Sequence, residues 1–140
     1  MKLCTAPILA SLLAAGAVCA GPVRLEATAS PLEGSRFDVR VVPDEKTARR
    51  GETAFDESLV FSGGRVLMVE CAKAGFEASP YSLTPSASSL LFRAEQECES
   101  EGTDLWTAEI RDGVIRGTLT RTRKNGKVAA YTFDGKQVGK

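Results

Sequence analysis

The stretch that decides the fold is Leu105–Gly135, LWTAEIRDGVIRGTLTRTRKNGKVAAYTFDG. Its apolar residues alternate with polar ones, and a period of two indicates half-buried β-strands. Two dipeptides interrupt the alternation, Asp112-Gly113 and Asn125-Gly126, and both favour the tight turns of β-hairpins. The stretch therefore predicts three consecutive antiparallel strands, at residues 105–111, 114–121 and 128–134.

The preceding part of the chain continues the same pattern. Short apolar or alternating runs, bounded by glycine, proline and serine, predict four further strands, at residues 37–41, 57–61, 65–71 and 89–96. Residues 72–87 contain Pro80, Pro85 and several serines, which indicate a long loop held to the core by its aromatic residues. Residues 44–54 are highly charged. They fit either a short helix that Asp44 caps and Gly51 ends, or a solvated loop.

These elements predict an all-β protein, a meander of about seven antiparallel strands, as one domain over residues 36–140. Strands joined by short turns are antiparallel neighbours, and such a sheet must hide its two edges. Closure into a small barrel does this, and a two-layer β-sandwich is the alternative. Gly117 favours the barrel, because it lies on the inward face of its strand, where a sharp bend leaves no room for a side chain.

The alternation also predicts which side chains point inward: Phe37, Val39, Phe92, Trp106, Ile110, Ile115, Leu119, Tyr131 and Phe133. Four of the aromatic residues, Phe92, Trp106, Tyr131 and Phe133, line either a filled core or a ligand pocket. The sequence leaves both interpretations open, with the core favoured.

The N-terminal residues MKLCTAPILASLLAAGAVCA have the features of an export signal. Lys2 provides the positive charge, residues 3–18 are uncharged and largely apolar, and small residues precede Gly21. We therefore predict a cleavable signal peptide at residues 1–20, a flexible leader at 21–35, and a periplasmic or secreted protein. An uncleaved membrane anchor and lipid attachment at Cys19 are the alternatives.

Two cysteines remain after cleavage, Cys71 and Cys98. Paired cysteines are usual in an oxidising compartment, so we expect a Cys71–Cys98 disulfide. The chain contains no histidine, and two thiols alone are too few ligands for a structural metal site. We therefore expect neither a metal site nor a cofactor.

The charge balance and the missing histidine restrict the classes of function. The chain has 18 basic and 18 acidic residues, and a near-neutral protein lacks long-range attraction to nucleic acid. The basic run at residues 121–124 is interpreted as a solvated hairpin end. Without histidine, Ser-His-Asp and Cys-His catalysis are excluded. A hydrolase using paired carboxylates remains as the enzymatic alternative, although Glu95, Glu97, Glu99 and Glu101 fit a solvated strand end better.

The order of motifs in the C-terminal half has a recognisable spacing. It runs from Trp106 through Asp112-Gly113, Ile115-x-Gly117 and Asn125-Gly126-Lys127 to Tyr131-x-Phe133-x-Gly135. This spacing resembles small exported bacterial proteins with a lipocalin-like β-barrel. The resemblance covers about half of the mature chain, and its motifs specify hairpins rather than chemistry. It implies a barrel that holds a small apolar ligand or a peptide in the cell envelope.

Two kinds of non-catalytic function follow. The first is a binding module with a small apolar ligand or a peptide inside the barrel. The second is a structural or interaction protein with a solid core and a partner site on its surface. Cavity size separates them, because about 120 residues in seven strands can fill a barrel with their own side chains.

Overall fold

The computed structural model describes residues 29–140 of the 140-residue chain. The described elements are β1 (Arg36–Pro43), α1 (Glu45–Ala48), β2 (Phe55–Ser62), β3 (Arg65–Met68), α2 (Val69–Lys73), β4 (Ser79–Ser86), β5 (Ser89–Cys98), β6 (Gly102–Arg111), β7 (Val114–Thr122) and β8 (Val128–Gly139). The predicted signal peptide at residues 1–20 and the first part of the predicted leader lie outside the described residues. Neither helix is long and apolar enough to cross a membrane.

The strands form one closed antiparallel barrel in sequence order. Each strand pairs with the next, and β8 pairs back with β1, from Pro43 opposite Tyr131 to Arg36 opposite Gly139. Closure gives both terminal strands a partner and so protects the sheet edges. The predicted all-β antiparallel barrel is confirmed, and the two-layer sandwich is wrong.

The barrel has eight strands in the described chain, and the additional strand is β4. It occupies residues that the sequence indicated as a loop, because Pro80 and Pro85 argue against a strand. Strand β4 pairs extensively with β5 but meets the short β3 at only two positions, Arg65 opposite Pro80 and Val66 opposite Ser79. Pro85 lies beyond the two positions that β3 pairs, on the part of β4 whose β3 edge has no strand partner, and proline is tolerated at such an edge.

The predicted strand at residues 65–71 is also corrected, because it ends at Met68 and the chain turns into α2. The helix has no capping side chain of its own at Met68. Glu57 on β2 supplies the cap instead, since its carboxylate accepts from the N–H groups of Glu70 (2.8 Å) and Cys71 (3.0 Å). A buried acid from a neighbouring strand thus holds the helix against one end of the barrel.

The helix alternative for residues 44–54 is confirmed by α1, which Asp44 caps by accepting from Thr47 N at 2.7 Å. This helix covers a gap in the sheet, because β1 ends at Pro43 while β8 begins further back, at Val128. The uncovered edge of β8 bonds to α1 and its flanks. Thr47 Oγ1 accepts from Ala130 N, Asp44 N donates to Ala130 O, and Arg50 Nη1 donates to Val128 O.

The end of the predicted flexible leader is ordered in the structure. Residues 31–34 form a turn, Leu32 is buried, and Gly34 N donates to Phe61 O at 2.9 Å. The leader prediction is therefore wrong for this part. Leu32 contributes apolar surface to the core before the first strand begins.

Gly117 has no room for a side chain, as the sequence predicted, because β6 and β7 approach each other closely there. A Cβ atom on Gly117 would lie 1.9 Å from Thr107 O and 2.6 Å from the Ala108 Cβ. The neighbouring β8 contains a second such position, Gly135, whose added Cβ would lie 2.0 Å from Asp38 O. The walls of the barrel are thus packed backbone against backbone at these two glycines.

We predict that Gly117→Ala lowers the free energy of unfolding by about 1–3 kcal/mol, because the methyl group meets backbone that cannot move aside without distorting β6. Gly139→Ala is the matched control, since a Cβ there has no heavy atom within 4 Å. Urea unfolding of both variants measures the difference. Equal stability of the two variants would contradict the close approach.

Candidate functional site

The inward side chains form a buried apolar core. All nine predicted inward residues are buried, including Phe92, Trp106, Tyr131 and Phe133. Trp106 is fully inaccessible and lies edge-to-face against Phe133, with ring centroids 5.1 Å apart. Its indole Nε1 has no hydrogen-bond partner among the described residues, so the ring contributes through packing alone.

A second aromatic group fills the other side of the core around Phe61. This ring makes edge-to-face contacts with Phe37, Tyr81 and Phe92, at centroid distances of 6.0, 5.0 and 5.6 Å. Such contacts require rings in van der Waals range of each other, which leaves little space between them. The four aromatic residues predicted to line either a core or a pocket all belong to the buried hydrophobic cluster of the barrel.

Polar side chains close the barrel at the end covered by α2. Asp104, on the inward face of β6, is fully buried and forms a bidentate ion pair with Arg121 of β7. Nε donates to Oδ1 at 2.8 Å and Nη2 donates to Oδ2 at 2.7 Å. Two parallel charge-assisted bonds hold the guanidinium in one orientation. The hydrogen bonds to Asp104 raise the pKa of Arg121 further above its usual range.

Aromatic rings and a second ion pair surround this guanidinium. The Arg121 carbon Cζ lies 5.9 Å from the ring centroid of Phe76 and 6.0 Å from that of Tyr131. The Tyr131 hydroxyl donates to Glu52 at 3.1 Å, and Glu52 also accepts from Arg123 at 2.6 Å. Burial and the adjacent Glu52 carboxylate raise the pKa of Tyr131 to about 12. The phenol therefore stays neutral and donating at physiological pH.

The predicted Cys71–Cys98 disulfide is not formed: both thiols are free in the described chain. The turn into α2 is the physical reason, because it removes Cys71 from a strand and directs its sulfur toward Asp104, 3.8 Å away. The Cys98 sulfur instead lies 3.6 Å from Ala74 O and 3.3 Å from the Ser100 hydroxyl. Burial, followed by the charges of Glu57 and Asp104, raises the pKa of Cys71. Hydrogen bonding to Ser100 lowers the pKa of Cys98.

The glutamates at the end of β5 lie on the outer surface of the barrel. Glu95, Glu97 and Glu99 are exposed, and Arg93 pairs with Glu95 at 3.0 Å. Residues 29–140 contain no group of three or more acidic, cysteine or histidine side chains placed to hold a metal ion.

The outer surface carries a groove, which we call the α1 groove. It lies between the segment 44–52, which contains α1, and the segment 123–130, which contains the β7–β8 turn and the start of β8. It has a volume of about 910 Å³ and is open to solvent. Four cationic side chains line it, together with two acidic ones: Lys46, Arg50, Arg123 and Lys127, and Asp44 and Glu52.

Comparison with protein-family models, with curated proteins and with solved structures finds no match to this chain. The resemblance to lipocalin-like exported proteins therefore stays a prediction. The structure itself shows a buried apolar core, the Asp104–Arg121 ion pair at one end of the barrel, and the α1 groove.

Sequence reasoning missed both the polar closure and the groove. The basic run at residues 121–124 was expected to be solvated, but Arg121 is largely buried, with a side-chain exposure of 17 %. The alternation itself contained the signal, because Ile115 and Leu119 point inward and Arg121 continues their face. The groove joins residues that are far apart in the chain, so no local pattern marks it.

We predict that Arg121→Leu lowers the free energy of unfolding by about 3–5 kcal/mol, because it leaves the buried Asp104 carboxylate without a counter-ion. Arg40→Leu is the control. It removes an exposed pair with Asp56, and such pairs contribute about 0–1 kcal/mol. Chemical denaturation of both variants is the measurement, and a loss for Arg121→Leu no larger than for the control would contradict a structural role for the pair.

Proposed function

We propose that this protein is an exported, non-catalytic β-barrel that acts as a structural or interaction protein through its outer surface. The filled interior supports this proposal most directly. Trp106, Phe37, Phe61 and Leu59 are fully buried and belong to one hydrophobic cluster inside the barrel. A ligand inside would have to displace side chains whose burial stabilises the fold by roughly 1.5–3 kcal/mol each.

The contacts of Glu57, Asp104 and Cys71 support a non-catalytic role for these buried side chains. The Glu57 carboxylate is occupied by backbone N–H groups, and Asp104 is fully engaged by Arg121. A raised pKa keeps the Cys71 thiol protonated, and the thiolate is the nucleophilic form of cysteine. The contacts of Glu57, Asp104 and Cys71 thus support a structural role for these three side chains.

The N-terminal sequence supports export. A charged start, an uncharged apolar run and small residues before Gly21 are the features of a secretory signal. The protein would then work in the periplasm or outside the cell, and attachment through a lipid at Cys19 is the anchored version of the same proposal. The lipocalin-like resemblance agrees with this location, but fold likeness alone does not fix a ligand.

Native mass spectrometry of protein purified from its own host tests the proposal. We expect the barrel to appear without a bound small molecule, either alone or with a protein partner. We also expect Trp106→Ala to lower the free energy of unfolding by about 3–5 kcal/mol, because the indole is part of a packed core. Leu91→Ala, at a half-exposed position on the outer face of β5, is the control and should be near neutral.

A ligand-binding barrel would give the opposite pair of results. An apolar small molecule would travel with the wild-type protein and be lost from Trp106→Ala, while that variant would melt close to the wild type. This outcome would overturn the interaction proposal and restore the pocket interpretation of the four aromatic residues.

A further inference from the structure

The α1 groove has a local excess of positive charge, although the net charge of the whole chain is zero. The full chain carries 18 basic and 18 acidic residues, whereas the groove is lined by four cations and two acids. Both acids already have partners within the protein. Asp44 accepts from Thr47 N, and Glu52 accepts from Arg123 and from Tyr131. The other three cations, Lys46, Arg50 and Lys127, have no carboxylate partner in the described chain.

Arg50 is held in place inside the groove. Its Nη1 donates to Val128 O at 2.8 Å, which leaves the other N–H groups of the guanidinium available to a ligand. A guanidinium that is already positioned loses less conformational freedom when it binds a carboxylate. Lys46 on α1 and Lys127 before β8 line the same groove, and both are exposed.

We propose that the α1 groove binds an acidic peptide segment of a partner protein. This inference rests on the proposed interaction function and names the chemistry of the partner. Carboxylates of the segment would meet Lys46, Arg50 and Lys127, and its backbone would lie over the small residues at the start of β8. A concave groove of about 910 Å³ accommodates a short stretch of chain.

The shape and composition of the groove favour a peptide over two other anionic partners. A lipid surface is best met by cations on a flat or convex face, whereas these line a cleft between α1 and the β7–β8 turn. Nucleic acid is disfavoured because the protein as a whole supplies no net attraction to a phosphate backbone.

The test uses a fluorescein-labelled peptide of six glutamates and a matched peptide of six glutamines. We expect fluorescence anisotropy to show binding of the glutamate peptide only, with an affinity that falls as salt is raised. The double variant Lys46→Glu with Lys127→Glu should weaken this binding at least tenfold, while leaving the Arg50–Val128 contact in place. The control, Arg116→Glu with Lys136→Glu, makes the same change in net charge near the opposite end of β7 and should leave binding within twofold.

Three results would overturn the inference: equal binding of the two peptides, equal weakening by the two double variants, or binding to phosphatidylglycerol vesicles that the glutamate peptide does not displace. Circular dichroism of each variant confirms that the barrel remains folded. Failure of the peptide to bind would contradict only the proposed role of the α1 groove and would not affect the proposal of a filled core. An apolar small molecule in the native mass spectrum would instead contradict the proposed interaction function.

Discussion

The pairing of β1 with β8 is the constraint on which the rest of the structure depends, because it turns an open meander into a closed barrel. Once the sheet is closed, every inward side chain must fit inside a wall of fixed circumference. Gly117 and Gly135 allow neighbouring strands of the wall to lie close together, since an added Cβ at either position would collide with the backbone of the next strand. In the interior, edge-to-face rings around Phe61 and Trp106 fill the space.

Strand pairing is incomplete at one end of the barrel, and two short helices complete it. Where β8 extends past the end of β1, α1 and its flanking residues supply hydrogen-bond partners through Thr47, Asp44 and Arg50. Where β3 ends at Met68, α2 covers the opening, and the Glu57 carboxylate caps this helix. The same end contains the Asp104–Arg121 pair, so the polar groups of the interior lie where the strands of the barrel have the fewest pairing partners. The α1 groove follows from this arrangement, since the helix that hydrogen-bonds to the free edge of β8 also forms one wall of the groove.

Local patterns were sufficient for most of the fold but for little of the site. Period-two alternation placed Trp106, Leu119 and Tyr131 correctly, because each alternation sits between turn residues that set the register. The sequence does not indicate strand β4, because Pro80 and Pro85 argue against a strand. The charge of Arg121 indicates a solvated side chain, whereas its position in the alternation places it on the inward face of β7. The disulfide prediction also fails because a local pattern is not sufficient. The alternation assigns Cys71 to a strand, but β3 ends at Met68 and Cys71 lies in α2. The groove depends on tertiary structure alone.

The fluorescence of Trp106 tests the central claim, that the barrel interior is solid, most directly. It is the only tryptophan in the chain and lies at the centre of the core. The measurement is acrylamide quenching of the native protein, with and without an apolar probe such as a long-chain fatty acid. The account predicts that quenching stays far below that of the urea-unfolded protein and that the probe leaves the emission unchanged. An emission shift on adding the probe, or quenching close to that of the unfolded chain, would contradict a filled core.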